Sequence, residues 1–393
     1  MTAPLAGTKI VELGHMIAVP TATHLMAGYG ADVIKVEDLH GGDGVRVYAD
    51  QKNGMGAWFI NANSGKRSIA LDLKTDAAKD VLWRLIDWAD IFIEGFRPGV
   101  TARLGFGHEA VQKRRPDIIY CTSSGFGSDG PYGGRPAFDP LIQALTGWAG
   151  MQQEGGEPRL VKGIVADKVS AYVNAQAMMA ALFKKASTGE GSHIETTMLE
   201  ANIGFNWPDM MMDCTLLDDD VVRSDNVMKH YQLYQCADGW ISVAASTDAQ
   251  VKATCEVLER PELAKDERFA KLANRSLNIS DWFKTLGMLV APFTVEAVVD
   301  RLVNARVPAA PVLMPREVHT DAHVAATGLL LETDHPTAGT LRQPRAPAAF
   351  FGEDLALSPA PVLGEHTRQI LEELGTEAGE IDALIKGAAA LQG

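Results

Sequence analysis

The stretch KIVELGHMIAVPTATHLMAGYGADVIKVE, residues 9–37, decides the fold class of this chain. Its first five residues, Lys9–Leu13, form a short apolar run that predicts a β-strand. A helix is predicted over residues 20–30, where a glycine ends it, and Asp32–Glu37 predicts a second strand. A strand, a helix and another strand in this order are the repeating unit of a parallel sheet.

The same alternation continues through the first two hundred residues. Helices are predicted over residues 75–89 and 166–185. Further strands are predicted at residues 68–73, 91–94, 118–123 and 193–198. Because strands alternate with helices, the sequence predicts an α/β fold with a doubly wound parallel sheet.

The sequence changes character after Glu200. The elements predicted beyond it are a hairpin over residues 231–245 and helices over residues 248–258, 280–288, 294–305 and 367–374. Residues 308–361, rich in Pro, Ala and Gly, are predicted to wrap over other structure. We therefore expect a large domain over residues 1–205, a small α/β domain over residues 225–325, and a C-terminal segment over residues 326–393 that returns to the large domain.

Composition and charge narrow the classes of function. Hydrophobic residues make up 46% and charged residues 22%, the balance of a globular protein. The formal net charge of −14 disfavours nucleic-acid binding, which needs a basic face. No apolar run reaches the roughly 18 residues of a membrane span, and we expect no signal peptide. The four cysteines form no CxxC pair, so the sequence predicts no zinc or redox site and a reducing cytoplasmic location.

A doubly wound sheet invites the hypothesis of a nicotinamide dinucleotide. That ligand needs a Gly-rich turn after the first strand, where the backbone approaches the pyrophosphate. The turn here is GHMIAVP, residues 14–20, with one glycine, although Glu37 ends the second strand where a ribose-binding acid would lie. The sequence therefore argues against a nicotinamide cofactor. It also lacks the P-loop and GxSxG motifs.

Several short motifs occur in a specific order over nearly the whole chain. They are Leu5-Ala6-Gly7, residues 30–37, residues 63–68 with 71–74, residues 96–99 with 103–105, residues 124–127, Val165-Ala166-Asp167, residues 188–191 and residues 363–367. In their order and spacing they resemble the class III CoA-transferase family, the group that includes formyl-CoA transferase, carnitine CoA-transferase and α-methylacyl-CoA racemase. The resemblance implies a large Rossmann-like domain, a smaller α/β domain, and a homodimer whose two chains interlock.

The resemblance implies that Asp167 is a catalytic nucleophile. An aspartate at the start of a long predicted helix also has a plainer interpretation, as a helix cap or a first-turn residue. A carboxylate with a reference pKa of about 3.9 is expected to be ionised at neutral pH without a base. It can attack an acyl-CoA thioester and pass through a mixed anhydride and an aspartyl-CoA thioester. This chemistry needs no metal, and its oxyanions are expected to be stabilised by backbone N–H groups near glycines.

The resemblance also implies a set of residues that bind coenzyme A as a substrate. They are His15, Ala18, Leu71, Lys74, Gly95, Phe96, Arg97 and Arg103. The three cations suit the phosphates, and His15 and Ala18 follow the first strand, beside the expected thioester. The plainer interpretations are solvated surface charges for the cations and core packing for Phe96.

Some positions depart from individual branches of the family. Formyl-CoA transferase has a glutamine where Ile17 stands and a cation where Asp38 stands, which argues against a simple formyl-CoA/oxalate enzyme. The racemase branch has a proton-transferring histidine where Phe138 stands, and a phenylalanine cannot transfer a proton. For Asp139, a helix cap and a site residue both stay open.

The residues that bind the acceptor acid are harder to predict. The glycine-rich loop that covers the site of formyl-CoA transferase has no counterpart in residues 225–235. Residues 228–231 either shape the acyl pocket or belong to a hairpin, and Lys229 or Arg46 is a candidate partner for the acceptor carboxylate. Three histidines, His319, His323 and His335, show no metal-ligand pattern.

Three functions are compatible with these observations. The first is a CoA-transferase that moves CoA from an acyl-CoA donor to a small carboxylic acid. The second is an acyl-CoA racemase or isomerase of the same family, which Phe138 disfavours. The third is a non-catalytic protein that binds acyl-CoA. The first requires Asp167 as a nucleophile, whereas the third predicts that its replacement has no effect.

Overall fold

A computed structural model describes residues 3–153, 155–222, 231–350, 355 and 357–393. The chain forms two compact units, which we call the large unit and the small unit. The large unit comprises Met1–Met211 with Gly328–Gly393, and the small unit comprises Met212–Thr327. None of the described helices is long and apolar enough to cross a membrane.

The regular elements of the described residues are numbered in chain order. The strands are β1 (Lys9–Leu13), β2 (Asp32–Glu37), β3 (Gln51–Lys52), β4 (Met55–Gly56), β5 (Lys66–Leu71), β6 (Ile91–Glu94), β7 (Ile119–Ser124), β8 (Ser192–Thr197), β9 (Tyr234–Gln235), β10 (Trp240–Val243), β11 (Ala309–Pro311), β12 (Leu330–His335), β13 (Gly339–Pro344) and β14 (Ala390–Leu391). The helices are α1 (Ala18–Ala27), α2 (Ala57–Asn63), α3 (Asp76–Trp88), α4 (Val100–Leu104), α5 (His108–Arg114), α6 (Asp139–Leu145), α7 (Trp148–Met151), α8 (Val165–Thr188), α9 (Met198–Met210), α10 (Asp248–Val257), α11 (Leu272–Leu277), α12 (Ile279–Val290), α13 (Val295–Asn304), α14 (Ala322–Ala326), α15 (Thr367–Glu373) and α16 (Ala378–Lys386).

A seven-stranded sheet forms the centre of the large unit, in the order β14-β5-β2-β1-β6-β7-β8. Its neighbours pair in parallel except β14, which runs antiparallel to β5. The chain adds β2 and β5 on one side of β1 and then β6, β7 and β8 on the other. The strand order therefore reverses between β1 and β6, and ligands of such sheets bind outside the carboxyl ends of the strands at this point.

Both faces of the sheet are covered, which confirms the predicted α/β fold. On one face Ile10 and Ile93 pack in a core with residues of α1 and α8. On the other face Val11, Leu13 and Phe92 pack with residues of α3, α15 and α16. Successive residues of a strand point to opposite faces, so strands covered on both sides carry apolar residues that face each of the two layers.

The small unit has a mixed structure of its own. Its strands β9, β10 and β11 form an antiparallel sheet, and the predicted hairpin corresponds to β9 and β10. Apolar residues of α12 and α13 pack against this sheet around Tyr234 and Ile241. The helices α10, α12 and α13 lie close to their predicted positions.

The C-terminal part departs from the sequence prediction. The helix predicted last, at residues 367–374, corresponds to α15, but α16 and β14 follow it. Leu384 of α16 and Ala390 of β14 are buried in the core of the large unit. Residues 308–361 also contain a regular hairpin, formed by β12 and β13, rather than irregular wrapping alone. Elements as short as these offer few repeats of a helical or strand period, which is why the sequence did not reveal them.

Candidate functional site

A cavity of about 230 Å³ opens at the point where the strand order reverses. Residues that directly follow β1 and β6, among them His15 and Phe96, line one side of it. The end of β7 and the loop after it, including Ser124 and Phe126, line another side. Asp167 in the first turn of α8 completes the wall. The topology alone therefore predicts this cavity as the ligand site of the large unit.

Small residues let the chain segments at this point approach one another closely. The backbone N–H of Gly95 donates to the carbonyl of Leu13 at 3.1 Å, which joins the turns after β6 and β1. A Cβ at Gly14 would lie only 2.4 Å from Cγ1 of Val19. A larger residue at Gly14 would push α1 away from the strand ends.

His15 presents its ring to the cavity and packs against Phe96, with ring centroids 5.3 Å apart. Burial lowers the pKa of His15, and the cation of Lys35 lowers it further. A neutral imidazole can donate one hydrogen bond and accept another. In this cavity it suits a polar, uncharged group.

Asp139 holds the N-terminus of the helix that carries Asp167. Its Oδ2 accepts hydrogen bonds from the backbone N–H of Ala166, at 2.7 Å, and of Asp167, at 3.1 Å. Its Oδ1 accepts from Nε2 of Gln143, which also donates to the carbonyl of Gly163. Asp139 is therefore the capping residue of α8, supplied from α6. Asp167 is not the cap but a first-turn residue of α8, which was the other plainer interpretation of this aspartate.

The carboxylate of Asp167 is left without a hydrogen-bond partner or ion pair among the described residues. Burial raises the pKa of Asp167, and the negative charge of Asp139 raises it further, to about 7. With a pKa of about 7, this carboxyl group is about half ionised at neutral pH, which differs from the expectation of full ionisation. A carboxylate that is half-buried, unpaired and at the wall of a cavity is a candidate reactive group.

The structure gathers six of the nine predicted site residues around one cavity. They are His15, Ala18, Gly95, Phe96, Arg97 and Asp167. The other three do not line it. Leu71 ends β5 and is buried in the core, Lys74 is exposed in the turn that follows, and Arg103 is exposed on α4 with its guanidinium near Gly99. Lys74 lies beyond the carboxyl end of β5, at the same edge of the sheet as the cavity.

Sequence reasoning missed some cavity residues, most of them in the loop after β7. Arg135 lines the cavity, and its guanidinium lies 4.7 Å from the ring centroid of Tyr132. It has no ion pair with any carboxylate of the described part of the chain. Gly125 is also at the wall, and a Cβ there would lie 2.1 Å from Cβ of Ala137. The position of this glycine-containing loop after a parallel strand was a usable indication of the site.

Two residues, Arg46 and Lys229, were predicted as candidate partners for the carboxylate of the acceptor acid. Arg46 is buried and forms a two-pronged ion pair with Glu37, with N–O distances of 2.9 and 2.7 Å. Its guanidinium group therefore has no free N–H groups for a substrate carboxylate, and the prediction for Arg46 is wrong. The carboxylate of Glu37 is likewise occupied by this ion pair. Lys229 lies outside the described residues, as do Met228 and His230, which were considered for the acyl pocket. Tyr231, considered with them, is exposed in the small unit.

No group of three or more His, Cys, Asp or Glu side chains suited to a metal ion occurs among the residues that the structure describes. One buried histidine, His335, accepts from the backbone N–H of Thr337 and Ala338 and contacts the carbonyl of Ala360. It therefore stabilises the β12–β13 hairpin.

Comparisons with known proteins agree with this arrangement. Residues 5–367 match the family described as CoA-transferase family III. The chain is 30% identical to the succinate–glutarate CoA-transferase of Agrobacterium fabrum, over 95% of this chain and 96% of that protein. It is 31% identical to the succinyl-CoA:mesaconate CoA-transferase of Haloarcula hispanica, over 94% and 96%.

Solved structures show the same fold. The crystal structure of a CaiB/BaiF family protein from Brucella suis is 31% identical, with a TM-score of 0.82 over 95% of this chain and all of that chain. The structure of Rv3272 from Mycobacterium tuberculosis is 29% identical, with a TM-score of 0.81 over 93% and 98%. The chain therefore belongs to CoA-transferase family III.

Proposed function

We propose that this class III CoA-transferase works through a covalent intermediate on Asp167. The observation that carries the proposal is the carboxylate of Asp167 at the wall of the cavity, which forms no ion pair with any cation of the described chain. A carboxylate with a raised pKa is a better nucleophile than an ordinary one, and it keeps a carbonyl that a thiolate can attack.

The first half of the reaction transfers CoA to the enzyme. A carboxylate oxygen of Asp167 attacks the thioester carbonyl, the C–S bond breaks, and CoA leaves as a thiolate. The thiolate then attacks the carbonyl carbon of Asp167 in the mixed anhydride. The anhydride C–O bond breaks, the donor acid leaves as a carboxylate, and an aspartyl-CoA thioester is left on Asp167.

The second half repeats these steps in reverse with the acceptor acid. Its carboxylate attacks the aspartyl-CoA thioester and releases the thiolate, which then attacks the acyl carbonyl of the acceptor. Asp167 leaves as a carboxylate and carries one oxygen atom that came from the acceptor. No proton and no redox equivalent is consumed, and acyl activation is conserved throughout.

We assign the positions of the substrate groups from the cavity lining. Arg97 and Arg135 face the cavity without an ion pair among the described residues, which suits the phosphates of CoA or a carboxylate. His15 and Phe96 lie beside the expected thioester. Lys74 and Arg103 are proposed to meet the distal phosphates, and the backbone near Leu71 the adenine end. Relatives named for succinate, glutarate and mesaconate make small carboxylic acids the first acids to test.

An oxygen-labelling experiment tests the mechanism. The enzyme would be incubated with succinyl-CoA and a series of acceptor acids labelled with ¹⁸O in both carboxylate oxygens. Each turnover removes one oxygen of Asp167 with the donor acid and leaves one acceptor oxygen in its place. We therefore expect the first succinate released to be unlabelled and the succinate of later turnovers to approach one ¹⁸O per molecule. Turnover without transfer of label would contradict the covalent route. Exchange of the α-proton with deuterated water, without CoA transfer, would favour a racemase instead.

We infer further that the chain forms a homodimer. Three apolar side chains of α8, Tyr172, Met179 and Phe183, are exposed, and Phe183 is 81% exposed. Their spacings of seven and four residues place them on one face of the helix, opposite the residues buried against the sheet. Light scattering is expected to give twice the chain mass, and Phe183→Glu to shift the equilibrium toward monomer. A wild-type chain that is monomeric at all concentrations would contradict this inference.

We also propose a cytoplasmic location. All four cysteines are free, and Cys121, Cys236 and Cys255 are buried thiols. Free thiols persist in a reducing compartment. Fractionation of the source cells tests this proposal, and recovery of the protein outside the cytoplasm would contradict it.

A further inference from the structure

A buried cluster of charged side chains adjoins the candidate site and takes no part in the proposed chemistry. Its members come from β1, β2, β5 and the segment after β2, and all are at most 5% exposed. They are Glu12, Lys35, Glu37, Asp43, Arg46 and Lys66. Three carboxylates balance three cations, which is how buried charges are tolerated in a protein interior.

Two members of the cluster bind the backbone on either side of His15. Nζ of Lys35 donates to the carbonyl of Gly14 at 2.7 Å. Oδ1 of Asp43 accepts a hydrogen bond from the backbone N–H of Met16 at 3.0 Å. Lys35 and Asp43 in turn form an ion pair with an N–O distance of 3.1 Å. Lys35 and Asp43 therefore connect the backbone on the two sides of His15 through one ion pair and two hydrogen bonds.

The backbone of this short loop also needs such support. Met16 has a φ angle of +65°, in the left-handed region that residues other than glycine rarely adopt. A conformation of this kind persists only where surrounding contacts determine it. Asp43 supplies that contact, because its carboxylate binds the N–H of Met16 itself and also that of Val45.

We propose that Lys35 and Asp43 are positioning residues that hold the His15 loop in place against the thioester of the bound acyl-CoA. The part of this proposal that concerns the thioester rests on the proposed function. The part that concerns the loop rests on the contacts of Lys35 and Asp43 alone.

Lys66 provides a matched comparison within the same cluster. Like Lys35 it is buried and forms an ion pair with Glu12 at 2.8 Å. Its other bonds go to the carbonyl of Pro20 and to Oδ1 of Asn63, and none reaches residues 14–16. Removing either lysine takes one positive charge from the cluster and leaves Glu12 with one lysine. Only the removal of Lys35 frees the His15 loop.

The test compares Lys35→Met with Lys66→Met in the full-length protein. We would measure the single-turnover rate at which succinyl-CoA forms the Asp167 adduct, at a temperature where both variants are folded by circular dichroism. Since displacement of a positioning contact by about 1 Å can cost 100-fold, we expect Lys35→Met to be slower by at least about 10-fold. Lys66→Met should stay within about 3-fold of wild type. Equal losses in both variants would overturn the proposal and leave the cluster a purely stabilising role.

If the lysine variants do not fold, a second pair of variants with smaller changes tests the same proposal. Asp43→Asn places an amide beside Lys35 and weakens the hold on Met16, whereas Ser68→Ala removes a hydrogen bond to Glu37 elsewhere in the cluster. We expect a slower adduct rate in Asp43→Asn than in Ser68→Ala. Equal rates would overturn the proposal.

A second readout separates this proposal from the proposed function. The ring resonances of His15, identified by their loss in His15→Gln, would be recorded in histidine-labelled protein without substrate. They should shift or broaden in Lys35→Met and Asp43→Asn and stay in place in Lys66→Met and Ser68→Ala. Unchanged His15 resonances in the first two variants would overturn the loop assignment even if the enzyme forms the Asp167 adduct. Shifted resonances in a protein that forms no adduct would support the loop assignment and contradict the proposed function.

Discussion

Two carboxylates of the large unit, Glu12 and Asp167, are held in opposite ways. Glu12 is fully buried, and both of its oxygens lie 2.8 Å from a lysine ammonium group, one from Lys35 and one from Lys66. Burial alone would raise its pKa, but the two lysines lower the pKa of Glu12 to about 2. Asp167 has no cation beside it in the described structure, so burial and the charge of Asp139 raise its pKa to about 7.

The difference separates a structural charge from a reactive one. A carboxylate with both oxygens in ion pairs is not available to a substrate. Its charge stabilises the contact between the three strands that carry Glu12, Lys35 and Lys66. A carboxylate that is desolvated and unpaired destabilises the fold but is available for chemistry. We therefore expect replacement of the acid by its amide to lower stability at Glu12 and activity at Asp167.

The largest expected effect is that of Asp167→Asn on activity. Because an amide is a poor nucleophile and cannot form the mixed anhydride, we expect kcat to fall by at least about 1000-fold. The measurement is steady-state CoA transfer from succinyl-CoA. Residual activity within about 10-fold of wild type would favour a binding role for Asp167.

The same variant should have normal or higher stability. The folded-state pKa of Asp167 is raised above its unfolded value, so the ionised group opposes folding, increasingly as pH rises from about 4 through about 7. The gain in Tm of Asp167→Asn over wild type should therefore be larger at pH 8 than at pH 5. A Tm below that of wild type at pH 8 would contradict the assignment of an unpaired carboxylate.

The next largest expected effect is that of Glu12→Gln on stability. Removing one partner of a buried ion pair commonly costs about 3–5 kcal/mol, because the remaining charges are left unpaired. A suitable control is Asp32→Asn, which breaks a partly exposed pair with Arg67 and should cost less than about 1 kcal/mol. Urea unfolding at pH 7 measures both, and equal costs would contradict the structural role of Glu12.

The pH dependence of Glu12 follows from the same lowered pKa. A group whose folded pKa is depressed contributes stability that is present above its unfolded pKa and is lost as pH falls toward the folded pKa. The difference in stability between wild type and Glu12→Gln should therefore shrink between about pH 4.5 and pH 2. A difference that is constant over this range would contradict the pairing of Glu12 with two lysines.

A moderate effect is expected from Asp139→Asn. The charge of Asp139 raises the pKa of Asp167, and only the ionised form of Asp167 attacks the thioester. In wild type the rate of Asp167 adduct formation should rise with pH through about 7. In Asp139→Asn, which keeps an oxygen for the helix cap, the midpoint should move to lower pH. An unchanged midpoint would show that burial alone controls Asp167.

The smallest expected effect is that of Arg135→Gln. Arg135 lines the cavity of Asp167 and forms no ion pair in the described chain. Its removal should therefore weaken substrate binding rather than lower the stability of the fold. Because a single exposed charge contact contributes little free energy, we expect KM for one substrate to rise by about 3- to 10-fold, with little change in Tm. The matched control is Arg342→Gln, which removes a cation paired with Glu332 on the β12–β13 hairpin. A KM effect of the same size in both would exclude a specific contact.

The fold was largely predictable because its strands are short and apolar. Asp32–Glu37 and Ile91–Glu94 were predicted with the bounds that the structure shows, since apolar strands covered on both faces are distinct from the helices between them. The predicted nucleophile and five of the eight CoA-binding residues line one cavity, which the reversal of strand order explains.

Other features of the site depend on contacts between distant residues. That Asp139 caps the helix of Asp167, and so changes its pKa, follows from a pairing of two helices that no local pattern encodes. The buried charges had a local indication that was overlooked. Glu12 and Lys35 lie within the strands KIVEL and DVIKVE, and Lys66 begins the strand KRSIAL. Charged residues at such positions must be paired when the sheet is covered on both faces.

The most direct test of the account traps the activated carbonyl group of Asp167. Purified protein would be mixed with succinyl-CoA, quenched with hydroxylamine and analysed by peptide mass spectrometry. The account predicts a hydroxamate on Asp167 that depends on the acyl-CoA and is absent from Asp167→Asn and from the paired carboxylate of Glu12. Turnover of acyl-CoA with acceptor acids while Asp167 is unmodified, or modification of another carboxylate, would contradict the central claim.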